Sequence, residues 1–421
     1  MTGRTFPGDS IGASRTLSDV HVVWLAGMSC DGCTVSVTGA QNPSLEDLLR
    51  SSIPNLPTVH LHHPMFSGDS GEEFMETYRR AAEGKLGAPY VLVLEGSVPD
   101  DQALSRSGGY FAAMGANGVG GGAQLARTTD WLKRLAPGAA ACIAIGTCAT
   151  WGGIPAAVGN ITGSMGLMDF LGPDFKSASG MPVVNVPGCA PIGDNFTETL
   201  AAVLTFLQRI GPAPEFDHLG RPAWMFGETV HRHCPKAGYY EEGVFSEHPG
   251  DNQCLVEIGC WGPVVQCNIV ERGAINHMGG CMVAGGACIG CTMPGFPDKY
   301  SPFYKAPPGS AVSGGISKVY GGAIRRLRRM SMRSGNREPL WDQTHAVPSA
   351  WGRAADINRT PADKVIGYFY KRLQYSGSVN HGARYKHQPI PHSLDILRQD
   401  GIDHTKSVPV LGERVKSREE L

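Results

Sequence analysis

The chain has 421 residues and a mass of 44.8 kDa, which is enough for two or three domains of about 150 residues each. Lysine plus arginine (37) nearly balances aspartate plus glutamate (38), so the formal net charge is −1. A balanced charge gives no bulk attraction to nucleic acid or to a membrane surface, and we expect no nucleic-acid partner. Charged residues make up 18% of the chain, against about 25% in typical proteins, so we expect much of its surface to be covered.

The twelve cysteines require a chemical explanation, because disulfide frameworks concentrate in short secreted chains. Residues 1–18 contain neither an apolar signal-peptide core nor an Arg-Arg pair, so no secretory or twin-arginine signal is visible. The longest apolar stretches, such as Pro89–Leu94 and Ala139–Ile145, fall far short of the roughly 18 residues that a membrane span needs. We therefore expect reduced cysteines, no transmembrane segment and a cytoplasmic location, with peripheral association with a membrane left open.

Between residues 20 and 210 the sequence alternates short apolar runs with segments of helical period, a pattern typical of an α/β fold with a parallel sheet. We predict strands at Val20–Leu25, Tyr90–Leu94, Cys142–Ile145 and Pro182–Val186, and helices at Ser44–Ser52, Glu72–Glu83, Gln124–Leu135 and Asn195–Ile210. In the second helix Phe74, Tyr78 and Ala81 recur at spacings of four and three residues, so they mark its buried face.

The regular pattern ends near residue 210, and this divides the chain. Residues 1–19 form an N-terminal arm, and residues 20–210 form the α/β domain. Residues 211–300 are irregular and hold seven of the twelve cysteines, as expected of a segment that folds around inorganic cofactors. Residues 301–421 form a long C-terminal extension. Its basic stretch Lys318–Arg337 has two interpretations. It is a face that docks on a partner protein or on an acidic lipid surface, or it is a solvated helix.

Four cysteines follow three of the predicted strands. The first strand leads into Cys30-Asp-Gly-Cys33, the third into Gly146-Thr-Cys148 and the fourth into Pro187-Gly-Cys189. Because the loops after parallel strands meet at the carboxyl edge of a doubly wound sheet, we expect these thiols to lie together. Four thiolates at one place form an iron–sulfur or a zinc site, whereas a redox dithiol at the first motif would leave the other two cysteines unexplained.

Two further groups of metal-binding residues lie between residues 211 and 300. One is His231-x-x-Cys234 with Cys254 and Cys260, and the other is Cys267 and Cys281 with Cys288-x-x-Cys291. Structural zinc is an alternative for both groups, because C-x-x-C and H-x-x-C pairs often bind zinc. Three sets of four ligands use eleven cysteines and one histidine, and this number favours a chain of redox centres. The twelfth cysteine, Cys142, lies inside an apolar strand, so we expect it in the core.

A weaker signal is the histidine-rich segment at His60, His62 and His63. These residues are candidates for a further metal site, but surface or subunit-interface histidines are the simpler interpretation. The glycine-rich run Gly115–Gly122 has no Lys-Ser or Lys-Thr pair and does not directly follow a predicted strand. It therefore does not favour nucleotide binding.

Taken in order, the cysteine motifs resemble those of the small subunit of [NiFe] hydrogenases. The resemblance rests on Cys30-x-x-Cys33, Gly146-Thr-Cys148, Pro187-Gly-Cys189, His231-x-x-Cys234, Cys254-x5-Cys260 and Cys288-Ile-Gly-Cys291 before Pro294-Gly-Phe296. It implies a flavodoxin-like domain with a proximal cluster, followed by an irregular domain with medial and distal clusters. It also implies a heterodimer with a large subunit that carries the nickel–iron centre, and we expect this heterodimer to assemble into higher oligomers.

The resemblance assigns a role to each ligand. The proximal ligands are Cys30, Cys33, Cys148 and Cys189; the medial ligands are Cys267, Cys281, Cys288 and Cys291; the distal ligands are His231, Cys234, Cys254 and Cys260. Relatives with a three-iron medial cluster have a proline where this chain has Cys281, so the resemblance implies three [4Fe–4S] clusters here. No extra cysteines flank the proximal motifs, which argues against the six-cysteine proximal site of oxygen-tolerant membrane-bound relatives.

A second departure from the common pattern lies within the first motif. Asp31 stands between the two cysteines, and Ser29 stands where many relatives have glutamate. Together with the long extension, these residues are similar to the actinobacterial-type, high-affinity, oxygen-insensitive branch. In that branch an aspartate shares ligation of the proximal cluster, so the resemblance makes Asp31 a candidate ligand. A polar turn residue is the alternative interpretation of Asp31.

The resemblance implies an electron-relay subunit of an H2-oxidising enzyme, with a quinone such as menaquinone as the expected acceptor. His231 supplies a neutral imidazole in place of an anionic thiolate, which suits an electron exit of raised potential. Two other classes stay open. One is a related redox complex such as quinone-reducing respiratory complex I, against which the eight medial and distal ligands argue. The other is a zinc-stabilised scaffold without enzymatic activity.

Overall fold

The computed structural model describes residues 17–101, 109–117 and 124–304. Nearly all of the predicted N-terminal arm and of the C-terminal extension, including the basic stretch Lys318–Arg337, therefore lies outside the described residues. Within the described ranges, no helix combines the length and the apolar character that a membrane span requires.

The described residues contain seven strands, five of which form one sheet. The strands are β1 (Asp19–Ala26), β2 (Thr58–His62), β3 (Tyr90–Glu95), β4 (Ala113–Asn117), β5 (Gln124–Arg127), β6 (Ala141–Ile145) and β7 (Val184–Val186). The sheet order is β2-β1-β3-β6-β7, and every neighbouring pair is parallel. This is the order of a flavodoxin-like sheet, in which the chain direction across the sheet reverses between β1 and β3.

Eleven α-helices are described along the same ranges. They are α1 (Gly32–Thr38), α2 (Leu45–Leu49), α3 (Gly71–Ala82), α4 (Thr128–Leu135), α5 (Gly146–Trp151), α6 (Leu167–Leu171), α7 (Gly193–Leu207), α8 (Ala223–Phe226), α9 (Val230–His233), α10 (Ala237–Glu242) and α11 (Ile269–Arg272). Ser44 caps α2 through a reciprocal capping box with Asp47, which explains why this helix begins one residue later than predicted.

Both faces of the sheet are covered, so the central strands β3 and β6 are apolar apart from Glu95 at the end of β3. Every residue of β3 and of β6 is buried, as expected for parallel strands between two helical layers. Tyr78 of α3 and Trp131 of α4 pack on one face, whereas Phe196 of α7 and Val37 of α1 pack on the other. The predicted mixed α/β fold with a mainly parallel sheet is confirmed.

The structure corrects two predictions about the elements. The predicted helix Gln124–Leu135 begins only at Thr128, because Gln124–Arg127 forms β5 and pairs antiparallel with β4. The predicted helix Asn195–Ile210 ends at Leu207, and Arg209 has a φ of 60°, which no α-helix continues through. The edge strand β2 was not predicted, because histidines interrupt its apolar residues.

The last described part has little regular structure but has a small core of its own. Its helices α8 to α11 are each four to six residues long. Their apolar side chains pack with Trp261, Cys260 and Cys288 in one buried cluster. Asn268 and Asn195 exchange side-chain hydrogen bonds of 2.8 Å, which tie this part to α7. The boundary predicted at residue 210 stays a prediction.

Candidate metal centres

The first four cysteines lie at the carboxyl edge of the sheet. Cys30 and Cys33 follow β1, Cys148 lies in α5 directly after β6, and Cys189 follows β7. Burial raises the pKa of the Cys33 thiol, and the charges of Glu95, Cys148, Cys30 and Cys189 raise it further. Burial and then Cys189 raise the pKa of Cys148 to about 11. The three loops therefore bring the four predicted proximal ligands together.

Two glycines leave room for the sulfur atoms at this edge. Gly146 has a φ of 84°, and a Cβ there would lie 2.3 Å from the Cys33 Sγ. Gly153 has a φ of 56°, and a Cβ there would lie 2.9 Å from the Cys148 Sγ. Such distances are far below van der Waals contact, and a positive φ is also costly for any other residue. The cradle around the thiols thus depends on glycine at both positions.

A buried carboxylate anchors the loop that carries Cys30 and Cys33. Glu95 is 1% exposed at the end of β3 and accepts hydrogen bonds from the backbone N–H groups of Cys33 at 3.1 Å and Thr34 at 3.2 Å. The Trp24 indole N–H donates to the same carboxylate at 3.2 Å, and the Thr34 hydroxyl donates to it as well. Glu95 therefore satisfies the orphan donors at the N-terminus of α1. Sequence reasoning missed it, although an acidic residue directly after an apolar strand was a visible signal.

Asp31 lies between the two cysteines in a left-handed turn. Its φ is 59°, its side chain is exposed, and its carboxylate makes no capping hydrogen bond to α1. The Asp31 N–H donates to the Ser29 hydroxyl at 3.0 Å. An aspartate tolerates this conformation better than most residues. Asp31 thus has the geometry of a turn residue. Its carboxylate does not cap α1, and it lies in the loop between the predicted ligands Cys30 and Cys33.

The histidines of the segment near β2 differ in their exposure to solvent. His60 is exposed, but His63 is 2% exposed and packs on the Trp24 ring with a centroid distance of 4.7 Å. His63 also bonds the Thr34 hydroxyl at 3.0 Å. The interpretation of His63 as a surface or interface residue is therefore wrong, because its ring completes the core behind the first cysteine loop.

The predicted distal residues line one cavity. His231, Cys234, Cys254 and Cys260 face this cavity together with Lys236 and apolar side chains. Burial lowers the pKa of His231 to about 4, so the imidazole is neutral near pH 7. Burial also raises the pKa of Cys254 to about 12. The Ser246 N–H donates to the Cys254 carbonyl. The buried Ser246 hydroxyl has no hydrogen-bond partner in the described structure.

The predicted medial cysteines come from four points in the irregular part. Burial raises the pKa of Cys291 to about 12, and Cys281 and Cys189 raise it further. Burial raises the pKa of Cys267, and the charges of Cys291 and Cys281 act in the same direction. Burial raises the pKa of Cys288, and the charges of Cys260, Cys291 and Cys267 raise it further. The structure thus brings these four thiols into one neighbourhood.

The medial group lies between the other two. On one side, the charge of Cys189 acts on Cys291, and the Thr147 hydroxyl next to Cys148 donates to the Cys291 carbonyl. On the other side, the Cys288 N–H donates to the Cys260 Sγ at 3.4 Å. The predicted medial group therefore lies between the predicted proximal and distal groups, although its residues come last in the sequence.

The donor chemistry fits iron–sulfur clusters. Two groups have four thiols each, and the third has three thiols and an imidazole, and cysteine thiolate is the usual ligand of such clusters. The unpartnered Ser246 hydroxyl and the space that Gly146 leaves at Cys33 are further signs that these sites accommodate a group larger than the side chains. Within the described ranges, no three His, Cys, Asp or Glu side chains converge on a point suited to a single metal ion. Cys142 is fully buried in β6, as predicted for a core residue.

Comparisons with known protein families match two parts of the chain. The family of the C-terminal part of the NiFe/NiFeSe hydrogenase small subunit matches residues 226–304. The family described as NADH ubiquinone oxidoreductase, 20 Kd subunit, matches residues 30–203. The second match covers the α/β part that carries the first four cysteines, and the first covers the medial and distal residues from His231 onward. The two matches together distinguish a hydrogenase subunit from the respiratory-complex alternative.

Relatives that match about 70% of this chain point to the same family. The periplasmic [NiFeSe] hydrogenase small subunit of Desulfomicrobium baculatum is 34% identical over 288 residues, which cover 68% of this chain and 87% of that protein. The Hydrogenase-2 small chain of Escherichia coli K12 is 32% identical over 326 residues, covering 72% of this chain and 79% of that protein.

A solved structure extends the likeness to the fold. The actinobacterial-type NiFe-hydrogenase from Ralstonia eutropha H16 has a chain with 48% sequence identity and a TM-score of 0.71, and the match covers 78% of this chain and 94% of that one. The [NiFeSe] hydrogenase of Dm. baculatum has a chain with 33% identity and a TM-score of 0.60, covering 68% and 99%. By its cysteine-bearing loops, its fold and these relatives, the chain belongs to the family of [NiFe] hydrogenase small subunits, the electron-transfer partners of a large subunit that holds the catalytic site.

Proposed function

We propose that this chain relays electrons from H2 oxidation through three [4Fe–4S] clusters in the order proximal, medial, distal. The observation that carries the proposal is the position of the medial cysteines, which contact the proximal group through Cys291 and the distal group through Cys288. When bound, the clusters supply one-electron redox steps at potentials that the surrounding protein sets. The chain itself contributes the thiols, their burial and their spacing.

The proximal loops support docking of the large subunit on this edge of the sheet. Cys30 and Cys189 are exposed there, and Val35 of α1 is 67% exposed beside them. Ile275, which is 51% exposed, lies against Gly39 at the end of α1. Exposed apolar side chains beside a polar site are typical of a protein interface. A large subunit on this face would cover both the apolar side chains and the predicted proximal ligands.

The distal cavity supports an electron exit. A neutral imidazole in place of one thiolate makes the distal ligand set less negative, and a less negative set favours the reduced cluster. An imidazole that binds iron through one ring nitrogen carries no charge, and the burial that lowers the pKa of His231 to about 4 also favours the neutral ring. A quinone such as menaquinone remains the proposed acceptor, and a cytoplasmic location with peripheral attachment to a membrane remains a prediction from the sequence.

The proposed function includes catalysis that is insensitive to oxygen. The likeness to the actinobacterial-type enzyme of R. eutropha supports it, and so does the exposed Asp31 carboxylate within the proximal loop. A carboxylate is a harder ligand than a thiolate and exchanges more readily as a cluster changes charge. Asp31 is therefore the proposed extra ligand of the proximal cluster.

The test is metal analysis of the heterodimer purified without oxygen. We expect about twelve iron atoms and twelve acid-labile sulfides per small subunit, as three four-iron clusters require. Cys288→Ser removes a predicted medial ligand and should lower the iron content by at least one atom. Cys142→Ala is the matched control, because this cysteine is buried in β6 away from the three groups, and its iron content should be unchanged. Stoichiometric zinc with negligible iron would overturn the proposal in favour of a zinc-stabilised scaffold.

A further inference from the structure

One arginine in the irregular part is completely enclosed. Arg221 lies between Gly220 and Pro222 just before α8 and is 0% exposed. Its guanidinium stacks over the Phe226 ring at 5.2 Å from the ring centroid. A buried cation costs several kcal/mol in lost hydration unless partners compensate it. Its neighbours therefore decide what this arginine does.

The guanidinium bonds to three different groups. On one side its Nε donates to the Asp217 carboxylate at 2.7 Å. Its terminal nitrogens reach two further partners, because Nη2 donates to the Gln266 side-chain oxygen and Nη1 donates to the Met293 sulfur at 3.4 Å. Gln266 precedes the predicted medial ligand Cys267, and Met293 follows Cys291 by two residues. The guanidinium thus bridges the chain neighbours of two medial cysteines.

The carboxylate partner lies along one edge of the guanidinium. One Asp217 oxygen is 2.7 Å from both Nε and Nη2, whereas Nη1 points away from it to Met293. The edge of the guanidinium away from Asp217 therefore faces Met293, two residues after Cys291. In a buried environment such a charge acts at low dielectric and is screened little by solvent.

We propose that Arg221 is a positioning residue that raises the reduction potential of the medial cluster. Reduction adds one negative charge to a cluster, and a fixed neighbouring cation stabilises the more negative state. Through Gln266 and Met293 the same side chain holds the backbone on both sides of the medial site. The inference rests on the proposed function, because it requires a cluster at the medial cysteines.

Arg221→Met removes the charge and keeps a long side chain. We expect the medial midpoint potential to fall by an amount that corresponds to at least a tenfold change in the one-electron equilibrium, about 59 mV. Arg221→Lys keeps a cation, so its medial midpoint potential should lie close to that of the unmodified protein. Asp217→Asn removes the opposing charge and should shift the potential upward. The measurement is a redox titration of the intact heterodimer followed by electron paramagnetic resonance, in which the proximal and distal signals serve as internal references.

A matched control separates charge from stability. Arg272 also pairs with a buried carboxylate, Glu198 of α7, so Arg272→Met should lower thermal stability without moving the medial potential. If Arg221→Met retains the medial signal at an unchanged potential, the inference is wrong and the relay stands. If Arg221→Met does not assemble, Asp217→Asn decides, and an unchanged medial potential in that variant overturns the inference. Absence of a medial iron–sulfur signal from the unmodified heterodimer would overturn the proposed function and this inference with it.

Discussion

At position 281 a single side chain decides whether the predicted medial site has three or four thiolates. Cys281 lies in a turn whose carbonyl accepts the Gly286 N–H at 2.7 Å, and its charge acts on Cys267 and Cys291. The thiol is therefore placed with the other three predicted medial ligands. A proline here has no group that binds iron.

We predict that Cys281→Pro converts the medial cluster to a three-iron form with a raised potential. The fourth iron is lost because it no longer has a protein ligand. An oxidised [3Fe–4S] signal in the variant as isolated is the measurement. Cys281→Ala is the control, since it removes the same thiol without restricting the backbone, and it should give the same signal. A folded variant without this signal would contradict the medial assignment of Cys281.

The turn at Asp31 also shows which substitution tests it best. Its φ of 59° suits aspartate and asparagine, whereas most other residues pay about 1–2 kcal/mol in this region. Asp31→Asn therefore removes the charge of the carboxylate without adding backbone strain. Asp31→Ala would remove the charge but would also strain the backbone.

We predict that Asp31→Asn keeps the fold and leaves the medial and distal signals largely intact, while it shifts the proximal signal. H2 oxidation should fall more in air than under nitrogen, because a carboxylate that rebinds iron protects the cluster during oxidation. Activity in both atmospheres and the proximal spectrum are the measurements. Four Cys–Fe bonds at this cluster in every redox state, with Asp31 pointing into the turn, would restore the interpretation of a simple turn residue.

At the scale of elements, two short helices, α1 and α5, carry predicted proximal ligands. Helix α1 begins where Glu95 binds the N–H groups of Cys33 and Thr34. Helix α5 begins at Gly146, and the Gly188 carbonyl accepts the N–H of Thr147 at 2.9 Å, which joins this helix to the loop of Cys189. Both helices owe their position to long-range partners, since isolated helices of six or seven residues are not stable.

We predict that Gly146→Ala prevents assembly of the proximal cluster, because the new Cβ would occupy the space of the Cys33 sulfur. Iron content should fall to about eight atoms per chain, as two four-iron clusters require. Gly87→Ala is a close control, since Gly87 has a φ of 83° against 84° for Gly146 but has nothing within 4 Å of the new Cβ. Equal iron loss in both variants would mean that backbone strain, not steric exclusion of the sulfur, is responsible.

For the whole molecule, the exposed apolar residues near the proximal loops are the informative feature. Val35, Ile154 and Ile275 are more than half exposed, and they lie near the loops of the proximal cysteines. Ile210 is equally exposed but follows the end of α7, which returns to the other edge of the sheet. The two positions allow a test of which face meets the large subunit.

We predict that Val35→Lys weakens the heterodimer, because a lysine charge would have to lose its hydration within the interface. Ile210→Lys should leave it unchanged. Co-purification with a tagged large subunit measures the effect, and circular dichroism checks that both variants fold. Equal recovery of the large subunit with both variants would place the interface elsewhere.

The sequence by itself determined the elements and groupings that depend on local pattern. Continuous apolar runs identified β3 and β6, because a strand buried on both faces has apolar residues at consecutive positions. The cysteine motifs after β1, β6 and β7 predicted a common site, because parallel strands share one carboxyl edge. The identity of the family followed from the same motifs, and the comparisons confirmed it.

Only the tertiary structure decided what depends on partners distant in the sequence. The bonds from Glu95 to Cys33 and from Arg221 to Gln266 and Met293 span 45 to 72 residues, and no local pattern encodes such pairs. The same holds for the place of the medial cysteines between the other two groups. Buried polar groups must find hydrogen-bond partners wherever the fold brings them, so their neighbours are a property of the folded chain.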